Sequence, residues 1–399
     1  MKSILSEGGL GGKGASGAFV GRVGKPPNSL LMQPILTLGP LYVTPYSLTV
    51  LAGVLAGLLL VWRKKAVRPL LPAVILGALL LGHICWTLFC PPDLEAAEGI
   101  FFMMLRPWQG GYTLYGALLG GALGALIAGK VAGVRWLDAL DALAPGACAV
   151  IFFARIGEVF TGEGIGRWAE MDWTHFFPLS ICTYHDEFFE EWRYLVWSWE
   201  ALVALILLIV LLRRERKAPP RGHQTAVFLT VLGTTQILLE QMRRDNYLRL
   251  IIFVRVNQLA AVITLLIVLI ALLIRNKPGK AAVILSLAVF VLAALADMAS
   301  EFVFDKYEYA PFLFISMPLA AAAFAVLMLV RKKKQGILPA ALVCAATIAL
   351  LIGYAAKDWN NIEITPELDM IRFAILYATM AVDMLCIGLT IRLHLKEAE

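Results

Sequence analysis

The polar residues most suited to chemistry form four short segments in an otherwise apolar chain. Tyr46 begins one apolar stretch, and residues 106–111 lead to Tyr115 and Gly116 near the start of another. A dense polar run occupies 155–167, and a last cluster occupies 240–244. Arginines offer permanent charge and forked donors that suit a phosphodiester, while glutamates could orient them or exchange protons. These residue types predict a phospholipid-headgroup site. The charged candidates are Arg155, Glu158, Glu163, Arg167, Glu240, Arg243 and Arg244.

Glycines accompany these charges and would permit an irregular backbone or a close approach to a headgroup. In the stretch 112–128 the glycines recur at spacing four, which favours close helix packing over ligand binding. For the glycines outside this stretch we retain the interpretation that they approach the headgroup. The glycine candidates for substrate binding are Gly110, Gly111, Gly116, Gly157, Gly162 and Gly166, and Tyr46 joins them.

The composition places these segments in a membrane protein. Of 399 residues, 60% are hydrophobic and 16% are charged, whereas a soluble domain carries about 25% charged residues. This balance excludes a water-soluble globular enzyme. The net charge is +6, but the basic residues lie in short loops without a continuous basic face, so we expect no nucleic-acid partner. Membrane lipids are the expected surroundings.

Eleven apolar stretches predict an all-α, polytopic membrane helical bundle with about 11 transmembrane helices. Basic residues follow the odd-numbered stretches, as at 63–68 and 331–334, while the other loops are poorer in them and several are acidic. The positive-inside rule then predicts an outside N-terminus and an inside C-terminus, with all four polar segments on the outer side. The stretches are 46–62, 70–89, 112–128, 139–156, 194–212, 224–241, 250–274, 281–297, 311–330, 337–355 and 370–391.

A single Arg–Glu pair at a helix end is more typical of an interfacial ion pair whose side chains reach the headgroups. Four segments on one face favour a binding site instead. Residues 1–31 are Gly-rich and polar, which is typical of a disordered tail or of an over-called start followed by Met32.

At these residues the chain resembles bacterial prolipoprotein diacylglyceryl transferases. The family signature R-x-G-N-F-x-N-G-E-x-x-G is similar to 155–166, and W-D-G-G-x-x-x-H-G-G is similar to 108–117. Further similarities follow in the same order over roughly residues 32–275. They are Tyr46, Asp141 ahead of Ala144-Pro145, the segment 239–243, and Asn257-Gln258.

The resemblance implies a seven-helix domain at 32–275 that transfers diacylglyceryl from phosphatidylglycerol to the thiol of a lipobox cysteine, releasing glycerol phosphate. It places Arg155 and Arg243 on the phosphate, with Glu163 and Glu240 as supports and Tyr46 on lipid or substrate. No cofactor or protein-bound metal is implied. The implied partners are phosphatidylglycerol and the prolipoprotein signal peptide. The implied location is the bacterial cytoplasmic membrane, multi-pass, with the active site facing the outer side.

Three departures from the family pattern bear on the chemistry. Tyr115 stands where the family has a histidine, and an unperturbed tyrosine with a pKa of about 10 is a poor base. Glu158 and Thr161 replace the two signature asparagines. Glu158 could weaken anion binding or supply the missing base. A divergent paralogue with another acceptor and a non-enzymatic lipid-binding membrane subunit therefore remain alternatives. Residues 276–399 add a four-helix membrane extension without a catalytic constellation.

Overall fold

Eleven long helices correspond in order to the eleven predicted apolar stretches. The computed structural model describes residues 35–38, 41–89, 100–107, 111–169, 172–185, 190–243, 249–251, 254–305, 310–331, 334–355 and 366–397. Over this part of the chain one further short α-helix occurs. The predicted tail at 1–31 lies outside the described residues. The helices are α1 (Pro45–Trp62), α2 (Leu71–Leu88), the short α3 (Ile100–Met104), α4 (Leu114–Ala132), α5 (Trp136–Thr161), α6 (Val196–Glu215), α7 (His223–Met242), α8 (Val256–Asn276), α9 (Lys280–Asp305), α10 (Ala310–Val330), α11 (Lys334–Ala355) and α12 (Pro366–Glu397).

The all-α membrane class is confirmed. Among the described residues, 8 helices are long and apolar enough to cross a membrane. Helix α7 is not one of them, because buried polar residues such as Gln224, Gln236 and Glu240 interrupt its apolar character. The number of membrane crossings and their orientation stay predictions.

Short strands occur in the connections, which the hydropathy pattern does not predict. A hairpin of β1 (Leu36–Leu38) and β2 (Leu41–Val43) precedes α1. Between α5 and α6, β3 (Ile165–Trp168), β4 (Ser180–His185) and β5 (Glu190–Leu195) form an antiparallel sheet in the order β3-β5-β4. A third pair, β6 (Arg249–Ile251) and β7 (Val254–Arg255), joins α7 to α8.

Glycines let the first helices approach one another closely. Gly120 and Gly124 of α4 lie directly against the backbone of Gly77 and Ala73 of α2, where a Cβ would not fit. Small residues permit such approaches in membrane bundles. The packing interpretation of the glycine-rich stretch 112–128 is therefore confirmed for this face of α4.

Polar contacts join the basic loops at the bundle end opposite the strands. The Lys64 Nζ lies 2.7 Å from a carboxylate oxygen of Glu215, which connects the ends of α1 and α6. Arg275, in the last turn of α8, donates to the carbonyl of Arg221 at 2.5 Å. Asp141 of α5 accepts from the backbone N–H groups of Gly222 and Thr225 at the start of α7. The predicted cytoplasmic loops thus share one end of the molecule.

Helices α9 and α12 pack against α7 and α8, and α10 and α11 complete the same apolar core. Ile237 of α7 and Leu265 of α8 are fully buried in it, together with Phe324 of α10 and Ile387 of α12. Asn276, at the end of α8, donates to the carbonyl of His394 at 2.6 Å. The last four helices therefore extend the bundle laterally.

Candidate functional site

Two arginines and two glutamates close a ring of ion pairs, here called the ionic ring: Arg155, Glu158, Glu200 and Arg243. Arg155 donates through Nη1 to Glu158, and its Nε lies 3.1 Å from Glu200 Oε2. Arg243 donates through Nη2 to Glu158 Oε2 at 2.6 Å and through Nη1 to Glu200 Oε2 at 2.9 Å. Each guanidinium therefore contacts both carboxylates, and each carboxylate contacts both guanidiniums.

Three helix ends bring these side chains together. Arg155 and Glu158 are three residues apart near the end of α5, a spacing that places them on one helix face. Glu200 lies near the start of α6, and Arg243 is the extended residue that ends α7. An isolated antiparallel bridge between Gly166 and Arg243 fixes β3 beside that end of α7.

A second group of polar residues supports the ionic ring from α7 and α8. Gln236 donates to Glu200 Oε1 at 2.9 Å and to Glu240 Oε2 at 2.8 Å. Asn257 also donates to Glu240, at 3.3 Å. Arg255 donates to the carbonyls of Glu240 at 2.6 Å and Arg243 at 2.5 Å. The backbone that presents Arg243 is therefore held by a third arginine.

The network is buried and formally neutral. Its three arginines and three glutamates balance in charge, as buried ions in a membrane bundle require. The Arg155 side chain is 12% exposed, against 7% for Arg243 and 4% for Glu200. Arg155 is thus the most exposed member of the ionic ring.

A glycine turn fits between α5 and β3 against the ionic ring. Gly162 ends α5 with its N–H bonded to the Glu158 carbonyl. Gly164 has a φ of +67°, and a Cβ there would lie 2.9 Å from Trp197 Cβ and 3.2 Å from Arg243 Nη2. Only glycine readily adopts this left-handed conformation and also fits in the space available.

The two predicted tyrosines lie beside the network. The Tyr46 ring packs against Gly157 of α5, where a Cβ would come within 2.9 Å of the ring, and it lies within electrostatic range of Arg155 and Glu158. Tyr115 lies within electrostatic range of Arg155, Glu200 and Glu240. Its buried hydroxyl has no hydrogen-bond partner among the described residues.

The other predicted site residues within the described part of the chain lie on the turn after α5, on β3 and where α4 and the segment before it pack against α2. Glu163 is exposed on the turn after α5, and Arg167 is half-buried in β3. Gly116 packs against α2 near Cys85 Cβ, and Gly111 packs against the Trp86 ring. Gly110 and Arg244 lie outside the described residues.

Sequence reasoning missed Glu200, Gln236 and Arg255 as members of the site. Glu200 lies inside the predicted apolar stretch 194–212. An ionisable residue within a membrane helix is by default a functional candidate, so this signal was available. Gln236 lies four residues before Glu240, a spacing that places both on one helix face. Its other partner, Glu200, and the carbonyls that Arg255 binds are too distant in sequence for a local pattern to indicate them.

The site offers arginine donors rather than metal ligands. In the part of the chain that the structure describes, no group of three or more His, Cys, Asp or Glu side chains is suited to a metal ion. Arg155 uses Nη1 and Nε within the ionic ring, whereas a guanidinium carries five N–H donors. The arrangement can therefore orient arginines toward an anion and stabilise negative charge.

A family model described as prolipoprotein diacylglyceryl transferase matches residues 33–274. The chain belongs to this family. Curated relatives bear the name phosphatidylglycerol–prolipoprotein diacylglyceryl transferase. The protein of Tropheryma whipplei (strain Twist) is 30% identical over 223 residues, which cover 52% of this chain and 79% of the relative. The protein of Vibrio vulnificus (strain CMCP6) is 29% identical over 222 residues, covering 53% and 78%. That of Frankia alni is 27% identical over 259 residues, covering 61% and 66%.

The diacylglyceryl transferase match contains the whole network described above. It begins before α1 and ends within α8, so Arg155, Glu200, Arg243 and Arg255 all lie inside it. Helices α9 to α12 lie beyond the matched residues. The resemblance deduced from the motifs is therefore confirmed, and the four last helices are an addition to the part shared with the family.

Proposed function

We propose that this chain transfers a diacylglyceryl group from phosphatidylglycerol to the thiol of a lipobox cysteine in a prolipoprotein. The ionic ring carries this proposal, because it fixes two arginines inside the part of the chain that matches the family. The names of the relatives support the donor and the acceptor. In this proposal residues 32–275 carry the reaction, and residues 276–399 are an additional membrane domain.

The proposed reaction exchanges one bond for another at a glycerol carbon of the lipid. The cysteine thiolate forms a C–S bond at that carbon, the C–O bond to the phosphate breaks, and the phosphate oxygen takes the electron pair. Negative charge therefore grows on the leaving glycerol phosphate. Arg155, the more accessible arginine, contacts this phosphate, and Arg243 stabilises the charge from behind. Preorganised donors of this kind are usually a large contribution to catalysis.

Glu158 acts in this proposal as a positioning residue. Its Oε1 accepts from Arg155 and its Oε2 from Arg243, so both carboxylate oxygens are engaged in holding guanidiniums. Glu200 orients the same two arginines. A general base on the ionic ring is not required, because a free cysteine is already a few per cent thiolate near neutral pH. The alternative, in which Glu158 is the general base, predicts a different dependence of the transfer rate on pH.

The remaining predicted residues take supporting roles. Tyr46 contacts the lipid beside Gly157, and the Tyr115 hydroxyl donates a hydrogen bond to the bound donor. Glu163 and Arg167 lie on the turn and strand where the signal peptide approaches. The site faces the outer side of a bacterial cytoplasmic membrane, which agrees with the basic loops gathered at the opposite end of the bundle.

A mass-shift assay tests this function. The purified protein is incubated with phosphatidylglycerol and a lipobox peptide, and the peptide mass is recorded for the wild type, Arg155→Ala and Arg135→Ala. Arg135 is the control because it lies at the other end of α5, exposed and paired with Asp138. We expect a diacylglyceryl-sized gain for the wild type and Arg135→Ala. Arg155→Ala should lose about 10²-fold or more in rate.

Other results would overturn parts of the proposal. Release of glycerol phosphate without a gain on the peptide would favour another acceptor. Lipid binding by the folded wild type without any release would favour a non-enzymatic lipid-binding subunit. Normal turnover of Arg155→Ala would show that Arg155 does not act on the phosphate.

A further inference from the structure

Two aspartates are buried where α9 and α12 of the additional membrane domain pack against each other. Asp297 of α9 is 8% exposed and Asp383 of α12 is 1% exposed. The two carboxyl groups lie within electrostatic range of each other. Both positions follow the residues that match the family model, and the proposed transfer reaction assigns them no role.

The helix register places these carboxyl groups on facing sides of α9 and α12. The Ser286 hydroxyl of α9 lies 2.9 Å from His394 Nε2 of α12. Asp297 comes 11 residues after Ser286, and Asp383 comes 11 residues before His394. Eleven residues make about three helical turns, or about 16 Å, so each aspartate shares a helix face with its counterpart in that contact. Both helices contain a segment apolar enough to cross a membrane, and the aspartates lie within these segments.

Asp383 is not compensated by a basic side chain within the described part of the chain. There, Asp297 is the only residue whose charge acts on the Asp383 carboxyl group. Neither oxygen of Asp383 has a hydrogen-bond partner among the described residues. The other ionisable side chains close by are the thiols of Cys386 on α12 and Cys344 on α11. Each glutamate of the ionic ring, in contrast, contacts two arginines, and an ionised carboxylate without such partners is very costly in a membrane bundle.

The hydroxyl groups on the same helix faces have no proton left to donate to a carboxylate. Thr379, one turn before Asp383, donates at 2.9 Å to the backbone carbonyl four residues before it. Ser300, one turn after Asp297, donates in the same way at 2.9 Å. A hydroxyl group has one O–H donor and two acceptor lone pairs, so both hydroxyls are left as acceptors. An acceptor suits a carboxylic acid, which has a proton to donate, and does not suit a carboxylate.

We propose that Asp297 and Asp383 form a proton-binding site in the additional membrane domain. A carboxylate oxygen takes up a proton from water and becomes a carboxylic acid, so each bound proton removes one negative charge from the pair. Asp383 is the principal carrier, because it is the more deeply buried of the two. Interacting carboxyl groups release their protons in two steps, since loss of the first leaves a like charge beside the second. This inference goes beyond the proposed transfer reaction and does not rest on it.

The surroundings favour a proton over a metal cation as the ligand. A hard metal ion such as calcium takes about six or more oxygen ligands. Among the described side chains, no group of three or more His, Cys, Asp or Glu is suited to a metal ion. The helix turns next to the aspartates contribute Ala293, Ala296 and Ile387 to the apolar core. A proton needs only one carboxylate oxygen.

Infrared spectroscopy tests for the bound proton without requiring turnover. The full chain is purified in a detergent that contains no carbonyl group, and the C=O stretching band of protonated carboxylic acids is recorded at neutral pH. Asp138→Asn is the matched control, because Asp138 is paired with Arg135 at the start of α5. We expect the band in the wild type and in Asp138→Asn, and its loss in Asp383→Asn. Absence of the band from the wild type, or its full retention in Asp383→Asn, would overturn the proposal.

The pH dependence of the same band tests whether the two aspartates act together. Asp297→Asn removes the neighbouring like charge, so Asp383 should lose its proton at a lower pH in this variant than in the wild type. Equal midpoints of the wild type and Asp297→Asn would contradict the pairing. Each variant is compared with the wild type after its thermal unfolding shows that it is folded.

Thermal unfolding gives a second measurement that separates a proton from a metal ion. An aspartate in the unfolded chain has a pKa of about 3.9, so near neutral pH the folded chain holds more protons than the unfolded chain. Stability therefore decreases as the pH rises, and we expect a weaker decrease for Asp383→Asn, whose amide stays neutral. Sodium chloride and choline chloride are compared at equal ionic strength, and they should give equal unfolding temperatures. A higher unfolding temperature in sodium chloride alone, with no carboxylic acid band, would assign the pair to a metal cation and overturn the proposal.

Discussion

At the scale of single residues, the ionic ring depends on complete pairing. A buried ion pair contributes little beyond its desolvation cost while both partners are present, but removal of one partner leaves an uncompensated charge. Glu200 is the most consequential member, because its Oε2 receives both arginines and its Oε1 receives Gln236. Loss of its charge would leave the network with one excess positive charge.

We therefore expect Glu200→Gln to lower the free energy of unfolding by about 3 kcal/mol and to reduce transfer strongly. Glu215→Gln on the same helix is the control, because Glu215 forms a partly exposed pair with Lys64 at the other end of α6. Exposed pairs contribute about 1 kcal/mol or less. Thermal unfolding in detergent and the peptide mass assay measure both effects. Equal stability of the two variants would show that Glu200 is not required for the ring.

Tyr115 allows a test in which stability and activity separate. Its buried hydroxyl has no partner among the residues described, so Tyr115→Phe removes an unsatisfied group and should leave stability unchanged or slightly higher. If the hydroxyl donates to the bound donor lipid, turnover should fall about tenfold, the value of one hydrogen bond. Unfolding temperature and initial rates are measured on the same preparation. Unchanged turnover would leave the hydroxyl without a role in the reaction.

The sequence predicts the arginines of the site but not the partner that connects them. Arg155 and Glu158 are close in sequence, so their pairing follows from helix spacing. Arg243 and Glu200 are recognised as one unit only when three helix ends are assembled. Glu200 stands in an apolar run that hydropathy assigns to a membrane span, and its function depends on contacts with residues more than 35 positions away.

At the scale of elements, hydropathy predicts the helices and not the strands. The stretch 46–62 corresponds to α1 at Pro45–Trp62, and 281–297 lies within α9 at Lys280–Asp305, because each apolar run must satisfy its own backbone in lipid. The strands between α5 and α6 are only four to six residues long. Their pairing depends on partners across the connection, and short polar segments carry no strong periodicity.

The turn after α5 gives an element-scale prediction with a matched control. Gly164 and Gly133 have nearly the same φ, +67° and +68°, but a Cβ on Gly133 has nothing within 4 Å. Alanine at either position costs about 1–2 kcal/mol of backbone strain. Only Gly164→Ala also displaces Arg243 and Trp197. We expect both variants to unfold at lower temperature and only Gly164→Ala to lose transfer. Similar transfer rates of the Gly164 and Gly133 variants would show that this turn does not position the ionic ring.

At the scale of the whole molecule, the question is how the four last helices relate to the part matched by the family. Ile237, Leu265 and Leu269 from α7 and α8 share one core with α9, α10 and α12. In water, exposure of these side chains would be severely destabilising. In a bilayer they would face lipid tails that are as apolar as leucine, so the loss is confined to packing and a few polar contacts.

A chain that ends after Asn276 should therefore still insert and transfer diacylglyceryl in nanodiscs, with a lower unfolding temperature than the full chain. The packing contacts around Leu265 and the bond from Asn276 to His394 are lost, whereas the four ion pairs that close the ionic ring lie before the cut. The measurement compares transfer at low temperature and thermal unfolding of both chains. A folded but inactive truncated chain would mean that α9 to α12 act on the site itself, and the additional domain would then belong to the mechanism.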